Sequence, residues 1–176
     1  MKHQLVKILQ YRRKSIRLPG YDYTQTGYYF VTICVQGGDY LLCKIKNGIV
    51  YPNNYGEIVN DCWIWLTEHY PYINLDCWIL MPNHLHGILH IKPHILPNDC
   101  RGGSRTAPTS GIIKIKTLGR LIGAFKTVST KKINQIRNTP GSKIWQRGFY
   151  EHIIRNEREY YAFHQYIIDN PIRWNK

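Results

Sequence analysis

Strand-like and helix-like segments alternate along this chain in an order that few folds accept. Residues 27–35 (GYYFVTICV) are β-branched and aromatic, the mark of a buried strand. Gly37-Gly38 breaks that strand, and residues 40–45 and 48–51, split by Asn47-Gly48, read as a small hairpin. From Asn54 to about His69 the apolar positions Ile58, Cys62, Trp65 and Leu66 recur at helical spacing, with Glu57 and Asp61 outside. Residues 73–81 form a second long strand, Pro82-Asn83 a tight connection, and residues 84–91 a third strand. A second helix is expected from about Leu118 to Arg137, with Leu121, Ile122, Phe125, Val128 and Ile133 inward. Thr139-Pro140-Gly141 ends it, and residues 149–154 make a fourth strand. Asn156 is placed to cap a last helix with Glu157 and Glu159 in its first turn. That helix must stop near Asn170, because Pro171 disfavours helical geometry in the residue before it. The order is β-α-β-β-α-β plus a terminal helix. It predicts an α+β, ferredoxin-like antiparallel sheet with its helices on one face.

The charge pattern narrows what such a domain binds. The chain of 176 residues carries a formal charge of +13, unevenly distributed. Residues 1–20 hold six Lys or Arg and no acid, and read as a basic arm ahead of a single domain, 21–176. Residues 101–147 hold eleven basic side chains and again no acid. Self-repulsion makes such blocks costly to keep, so a polyanion, whose counterions are released on binding, is the expected partner. No apolar run approaches the ~18 residues of a membrane span, and the basic start lacks the apolar stretch of a secretory signal. A cytoplasmic location follows as an expectation. Five cysteines with no CxxC pair argue against a disulfide framework or a zinc ribbon. Residues 93–111, with three Pro and three Gly, read as a flexible loop.

His84-Leu85-His86 opens the third strand. Residues two apart on a strand share a face, so the imidazoles project side by side while Leu85 turns into the core. Such a pair suits one divalent cation, but in an isolated His-x-His on a strand two satisfied, partly buried histidines are the commoner case. His90 shares the parity but lies about 13 Å from His86 along the strand, too far to complete the same site. The terminal helix offers Tyr160, Tyr161 and Tyr166, with Phe163 and Ile167 spaced to pack on the sheet and Tyr166 and Asn170 on a more polar face. Most tyrosines on amphipathic helices are packing residues. A phenol with a pKa near 10 is also a poor nucleophile unless charge is withdrawn from its target. His152 is a polar residue in an otherwise apolar strand, open to three roles: metal ligand, phosphate contact or core histidine.

Taken in order, Arg17-Leu-Pro-Gly-Tyr-Asp-Tyr23, Tyr28-Tyr-Phe-Val-Thr32, Met81-Pro-Asn-His-Leu-His-Gly87, Gly123-Ala-Phe-Lys126, Ile144-Trp-Gln146, Tyr150-Glu-His-Ile-Ile-Arg155 and Tyr166-Ile-Ile-Asp-Asn-Pro171 span nearly the whole chain. The sequence thereby resembles the REP-associated tyrosine transposases, bacterial single-tyrosine members of the HUH transposases. The resemblance implies that His84 and His86 hold a divalent metal, Mg²⁺ or Mn²⁺, and that Tyr166 is the nucleophile. It implies a third metal contact from a polar residue near that tyrosine, with Asn170 the positional match and His152 the competitor. The reaction implied is cleavage and rejoining of single-stranded DNA at hairpin (REP-like) elements through a 5′-phosphotyrosine, with no nucleotide cofactor. Phosphate contacts are expected from Arg12, Arg13, Lys14 and Arg17 of the arm and from Lys126, Lys131 and Lys132 of the second helix. The resemblance also places the protein in the bacterial cytoplasm, at the nucleoid, as a monomer or a homodimer. The alternatives are a non-catalytic DNA-binding protein of the same fold, a replication or conjugative nickase, a metal-free RNA-processing nuclease and a zinc hydrolase.

Overall fold

The computed structural model describes residues 18, 20–93 and 114–174. Arg12, Arg13, Lys14 and Arg17, and nearly all of the 93–111 loop, lie outside the described residues. The elements run β1 (Gly27–Cys34), β2 (Cys43–Lys46), β3 (Ile49–Pro52), α1 (Asn54–His69), β4 (Ile73–Met81), β5 (His84–Ile91), α2 (Leu118–Arg137), β6 (Tyr150–Ile154) and α3 (Glu157–Asp169). The main sheet has the order β4-β5-β1-β6, every neighbouring pair antiparallel, while β2 and β3 form a separate hairpin. This is the split β-α-β arrangement expected from the element order: β1 and β4 are joined through α1 and lie on either side of β5.

The sheet buries both faces. On one, Tyr29, Val31 and Ile33 of β1 and Leu85, Leu89 and Ile91 of β5 meet Cys62, Trp63 and Leu66 of α1 and Leu121, Ile122 and Phe125 of α2. On the other, the alternate residues Phe30 and Ile88 pack with Ile167 of α3, joined by Tyr28, Ile79, Tyr150, Phe163 and Tyr166. Thus α1 and α2 share the first face and α3 alone covers the second. The alternation of β1 is apolar on both sides because it is the strand sandwiched between the two layers. A β-bulge between Leu75 and Trp78 shifts the pleat of β4 by one, so that Leu75, Trp78 and Leu80 all reach the first layer. Simple alternation along residues 73–81 does not reveal this step.

Two glycines are dictated by packing. A Cβ on Gly87 would come 2.7 Å from the ring of Trp63, which lies across β5 at that point. On Gly56, in the first turns of α1, a Cβ would overlap the Leu42 carbonyl oxygen and meet Leu80 Cδ2 at 2.8 Å. Alanine ordinarily favours a helix by ~1 kcal/mol over glycine. Here backbone blocks it, so Gly56→Ala should destabilise by about 3 kcal/mol or more, measured as a shift in the urea unfolding midpoint. A neutral or stabilising result would mean that α1 sits farther from the Leu42 segment than described.

Candidate active site

The two-residue link Pro82-Asn83 brings β5 back against β4, pairs Met81 with His84, and sends His84 and His86 to the α3 face. Leu85 is fully buried on the opposite side. His86 is 2% exposed and His84 is partly buried, and their Nε2 atoms face one another at 3.0 Å. Each ring is held from behind. Asn83 Nδ2 donates to the Gly38 carbonyl at 3.2 Å, which aims Asn83 Oδ1 at His84 Nδ1, 2.7 Å away. A carboxamide oxygen only accepts, so His84 Nδ1 carries the proton and its Nε2 presents a bare lone pair. On the neighbouring strand Thr32, paired in register with His86, sets its hydroxyl 2.8 Å from His86 Nδ1. A ligating imidazole is usually fixed by an oxygen that accepts from its outer ring nitrogen, a position Asn83 Oδ1 fills for His84 and the Thr32 hydroxyl can fill for His86. Asn83 and Thr32 were legible only as a turn residue and a strand residue; their sole signal was adjacency to His84 and a hydroxyl in an otherwise apolar strand.

Burial keeps both rings neutral. Desolvation lowers His84 to about 4, and pushes His86 well below the ordinary imidazole range, helped by the repulsion of His84. With its proton on Nε2, His86 donates to the His84 lone pair; with its proton on Nδ1, given to the Thr32 hydroxyl, it presents a second lone pair that a cation would satisfy. Two nitrogens bound at right angles to a cation ~2.1 Å from each would be separated by about 3.0 Å. The donor set therefore fits a divalent ion. Because both histidines resist protonation when folded but accept protons at about 6.5 when unfolded, they destabilise the metal-free protein as pH falls from 6.5 toward 4, with no further loss from His84 below that. In EDTA, the melting temperature should drop across this window, and drop less in a His84→Gln, His86→Gln variant. Parallel curves for the two proteins would show that the rings are not desolvated.

Helix α3 carries Tyr166 to this pair. Its hydroxyl lies 3.5 Å from His86 Nε2, and the two rings meet edge to face at 5.2 Å. The helix is pinned along its length. Asn156 caps it, its side chain accepting from the Glu159 N–H at 2.9 Å. The Glu159 carboxylate accepts from the Arg155 N–H at 3.0 Å and meets His152 Nε2 at 3.3 Å. Tyr160 donates to Asp76 of β4 at 2.6 Å. Phe163 stacks on Phe30 at 4.5 Å, and Ile167 is 1% exposed. Tyr166 does not lie on a polar outer face; its ring also packs edge-on against Phe30 at 6.0 Å. The site is therefore assembled within one chain, 80 residues separating Tyr166 from His86.

The remaining sequence candidates divide. Asn170 follows α3 directly, one turn beyond Tyr166 and half-buried, with its N–H donating to the Ile167 carbonyl. His152 is directed to Glu159 and stacks near Phe163 at 4.9 Å. Among the described residues no group of three or more His, Cys, Asp or Glu converges, so His152 does not join His84 and His86. His90 stacks flat on Tyr28, centroids 4.1 Å apart, and is likewise separate. Lys126 does not point to solvent as expected of a phosphate contact. Its ammonium donates to the Gln146 and Gly148 carbonyls at 2.8 and 2.7 Å, and burial pulls its pKa down to about 8. It clamps the segment leading into β6. Lys131 and Lys132 are exposed on α2, across the sheet from Tyr166.

The four-stranded antiparallel sheet with its three helices, the last of them C-terminal, has the fold of the REP-associated tyrosine transposases. A solved member, bound to a REP hairpin, superposes with a TM-score of 0.61 at 19% identity, covering 91% of this chain and 75% of that one. A Deinococcus radiodurans structure at TM-score 0.46 and 14% identity is too distant to argue from. The chain belongs to one family with an uncharacterized protein of Haemophilus influenzae, 35% identical over 171 residues that cover 94% of this chain and 92% of the relative. No family model matches the sequence. Among the described residues no helix is long and apolar enough to cross a membrane.

Proposed function

We propose that the protein is a DNA transposase that cleaves and rejoins single-stranded DNA beside hairpin elements, through a covalent bond between Tyr166 and a 5′-phosphate. The observation that carries this reading is the 3.5 Å approach of the Tyr166 hydroxyl to His86 Nε2, the atom that faces His84 Nε2 at 3.0 Å.

His84 and His86 would hold Mg²⁺ or Mn²⁺, Asn170 being the candidate for a further contact. The bound ion would withdraw charge from the phosphate oxygens and favour attack by a phenol that is otherwise a weak nucleophile. In the first step the Tyr166 oxygen bonds to phosphorus, the bond to the 3′-oxygen breaks, and the phenolic proton passes to solvent while the leaving oxygen is protonated. A second 3′-hydroxyl then attacks the phosphotyrosine, restoring a phosphodiester and freeing Tyr166. The covalent link conserves the bond energy, so no nucleotide is consumed. Asn83 and Thr32 hold the imidazoles, while Phe30 and Phe163 set the height of α3 above them.

The relative bound to a REP hairpin supports DNA as the partner, as does the +13 charge. The reading is tested by incubating the protein with Mg²⁺ or Mn²⁺ and a labelled single strand containing a hairpin from the flanks of its gene. A species that stays protein-linked on a denaturing gel is expected. Tight binding with no linked species under either metal would instead favour a non-catalytic DNA-binding protein on the same fold.

A further inference from the structure

The rim of the site carries an aromatic pair that belongs to neither buried layer. Tyr40, in the segment before β2, is 58% exposed, and its ring meets Trp174 edge to face at 5.7 Å. Trp174 lies in the turn after α3, and its indole is 5.9 Å from the His84 imidazole. The turn is braced rather than loose. The Trp174 N–H donates to the Pro171 carbonyl at 3.3 Å, Arg173 pairs with Asp169, and Ile172 sits against Gly48 at the tip of the β2–β3 hairpin. A Cβ on Gly48 would come 3.0 Å from Ile172 Cγ1, so this contact is close. A bracing role explains why Trp174 is there, but leaves unexplained why Tyr40, stacked edge-on against it, keeps most of its surface in water.

From this geometry we propose that Tyr40 and Trp174 form a stacking shelf for an unpaired base, that of a nucleotide next to the phosphate presented to His84 and His86. The proposal rests on the reading that those histidines bind the scissile phosphodiester. A base within a duplex is stacked on both faces by its neighbours, whereas a splayed base offers a free π-face to tyrosine and tryptophan. The ligand is therefore single-stranded DNA with an accessible base within one nucleotide of the cut. Lys44 and Lys46 are exposed on the same strand that leads from Tyr40, alternating with buried Cys43 and half-buried Ile45. They give the strand leaving the shelf a basic edge for its phosphates.

The test separates base stacking from charge and needs no cleavage. Affinities are measured by fluorescence anisotropy for a 20-nucleotide oligo(dT) and for an abasic strand of equal length and charge. The wild type is expected to prefer oligo(dT) by roughly tenfold or more. Tyr40→Ala should shrink that preference several-fold while leaving affinity for the abasic strand unchanged, and Tyr40→Phe, which keeps the ring, should restore it. An oligo(dT) strand carrying one 5-iodouracil should photocrosslink to the peptide containing Tyr40 or Trp174. A preference unchanged by Tyr40→Ala, or crosslinks confined to other peptides, overturns the shelf. If the covalent hairpin species forms but the preference is unchanged, the shelf fails and the transposase reading stands; the converse outcome rejects the reading and keeps base stacking by Tyr40 and Trp174, but not its place beside a scissile phosphate.

Discussion

Tyr166→Phe should abolish the covalent protein–DNA species, lowering its rate of formation by at least about 10⁴-fold, while the protein folds and binds DNA as before. Loss of a nucleophile removes the reaction path rather than weakening it, which sets the scale. The substitution deletes one oxygen whose described contact, to His86 at 3.5 Å, is long. The ring remains, and with it the edge-on packing against Phe30, so stability should change by less than ~1 kcal/mol. Tyr150 is the rival to consider. It lies beside Phe30 with its ring centroid 6.1 Å away, and burial, then the proximity of Tyr166, raises its pKa. That shift disfavours its phenolate, so an adduct that persisted in Tyr166→Phe and vanished in Tyr150→Phe would reverse the assignment.

His84→Ala should reduce cleavage by about 10³-fold or more while changing DNA affinity by no more than about threefold. The first figure follows from losing one of the two proposed ligands of an ion on which charge withdrawal would depend. The second follows from the electrostatic origin of most of the affinity, which is spread over many phosphates. His84 is the better target than His86, because His86 is almost fully buried and bonded to Thr32, so its truncation leaves a cavity and an unsatisfied hydroxyl. Asn83→Ala provides an intermediate case. It removes the oxygen that fixes the His84 tautomer, and should weaken the metal by roughly 10- to 100-fold, so that added Mn²⁺ rescues cleavage. Failure of excess metal to rescue Asn83→Ala, with His84 still in place, would argue that Asn83 does something other than orient the ring.

Much of this arrangement was legible before any coordinates. Glycine breaks, β-branched runs and the Asn156 cap delimit the elements, and the period of two on β5 separates His84 and His86 from Leu85. What was not legible depends on which strand lies beside which. Thr32 and His86 are 54 residues apart, and only the β1–β5 register makes them partners. The face of α3 departs from the local pattern for a related reason. Tyr166 and Asn170 follow a polar stripe, but the sheet beneath them carries Phe30 and two imidazoles, so a tyrosine with an apolar ring and a polar tip is the side chain that fits. Lys126 shows the same limit for charge. An outward helical position predicts a solvated ammonium, yet the segment at Gln146–Gly148 passes close enough to capture it with two carbonyls. Local pattern reports periodicity; it does not report what a neighbouring segment will bring.

Two consequences bear on how DNA would lie. Lys131 and Lys132 are on the layer opposite Tyr166, so a hairpin that contacts them while presenting its foot to His84 must pass around an edge of the sheet. Only one side chain of α3, Ile167, is fully buried, whereas α1 and α2 bury several each. The candidate nucleophile therefore rides on the helix with the fewest buried side chains, held by Phe163, Ile167 and polar ties at its start.

The direct test of the whole arrangement is an anomalous difference map from crystals grown with Mn²⁺. The account predicts one strong peak bonded to Nε2 of both His84 and His86, with the Tyr166 hydroxyl of the same chain beside it. A map with no peak there, or with manganese bound between other residues, would contradict it.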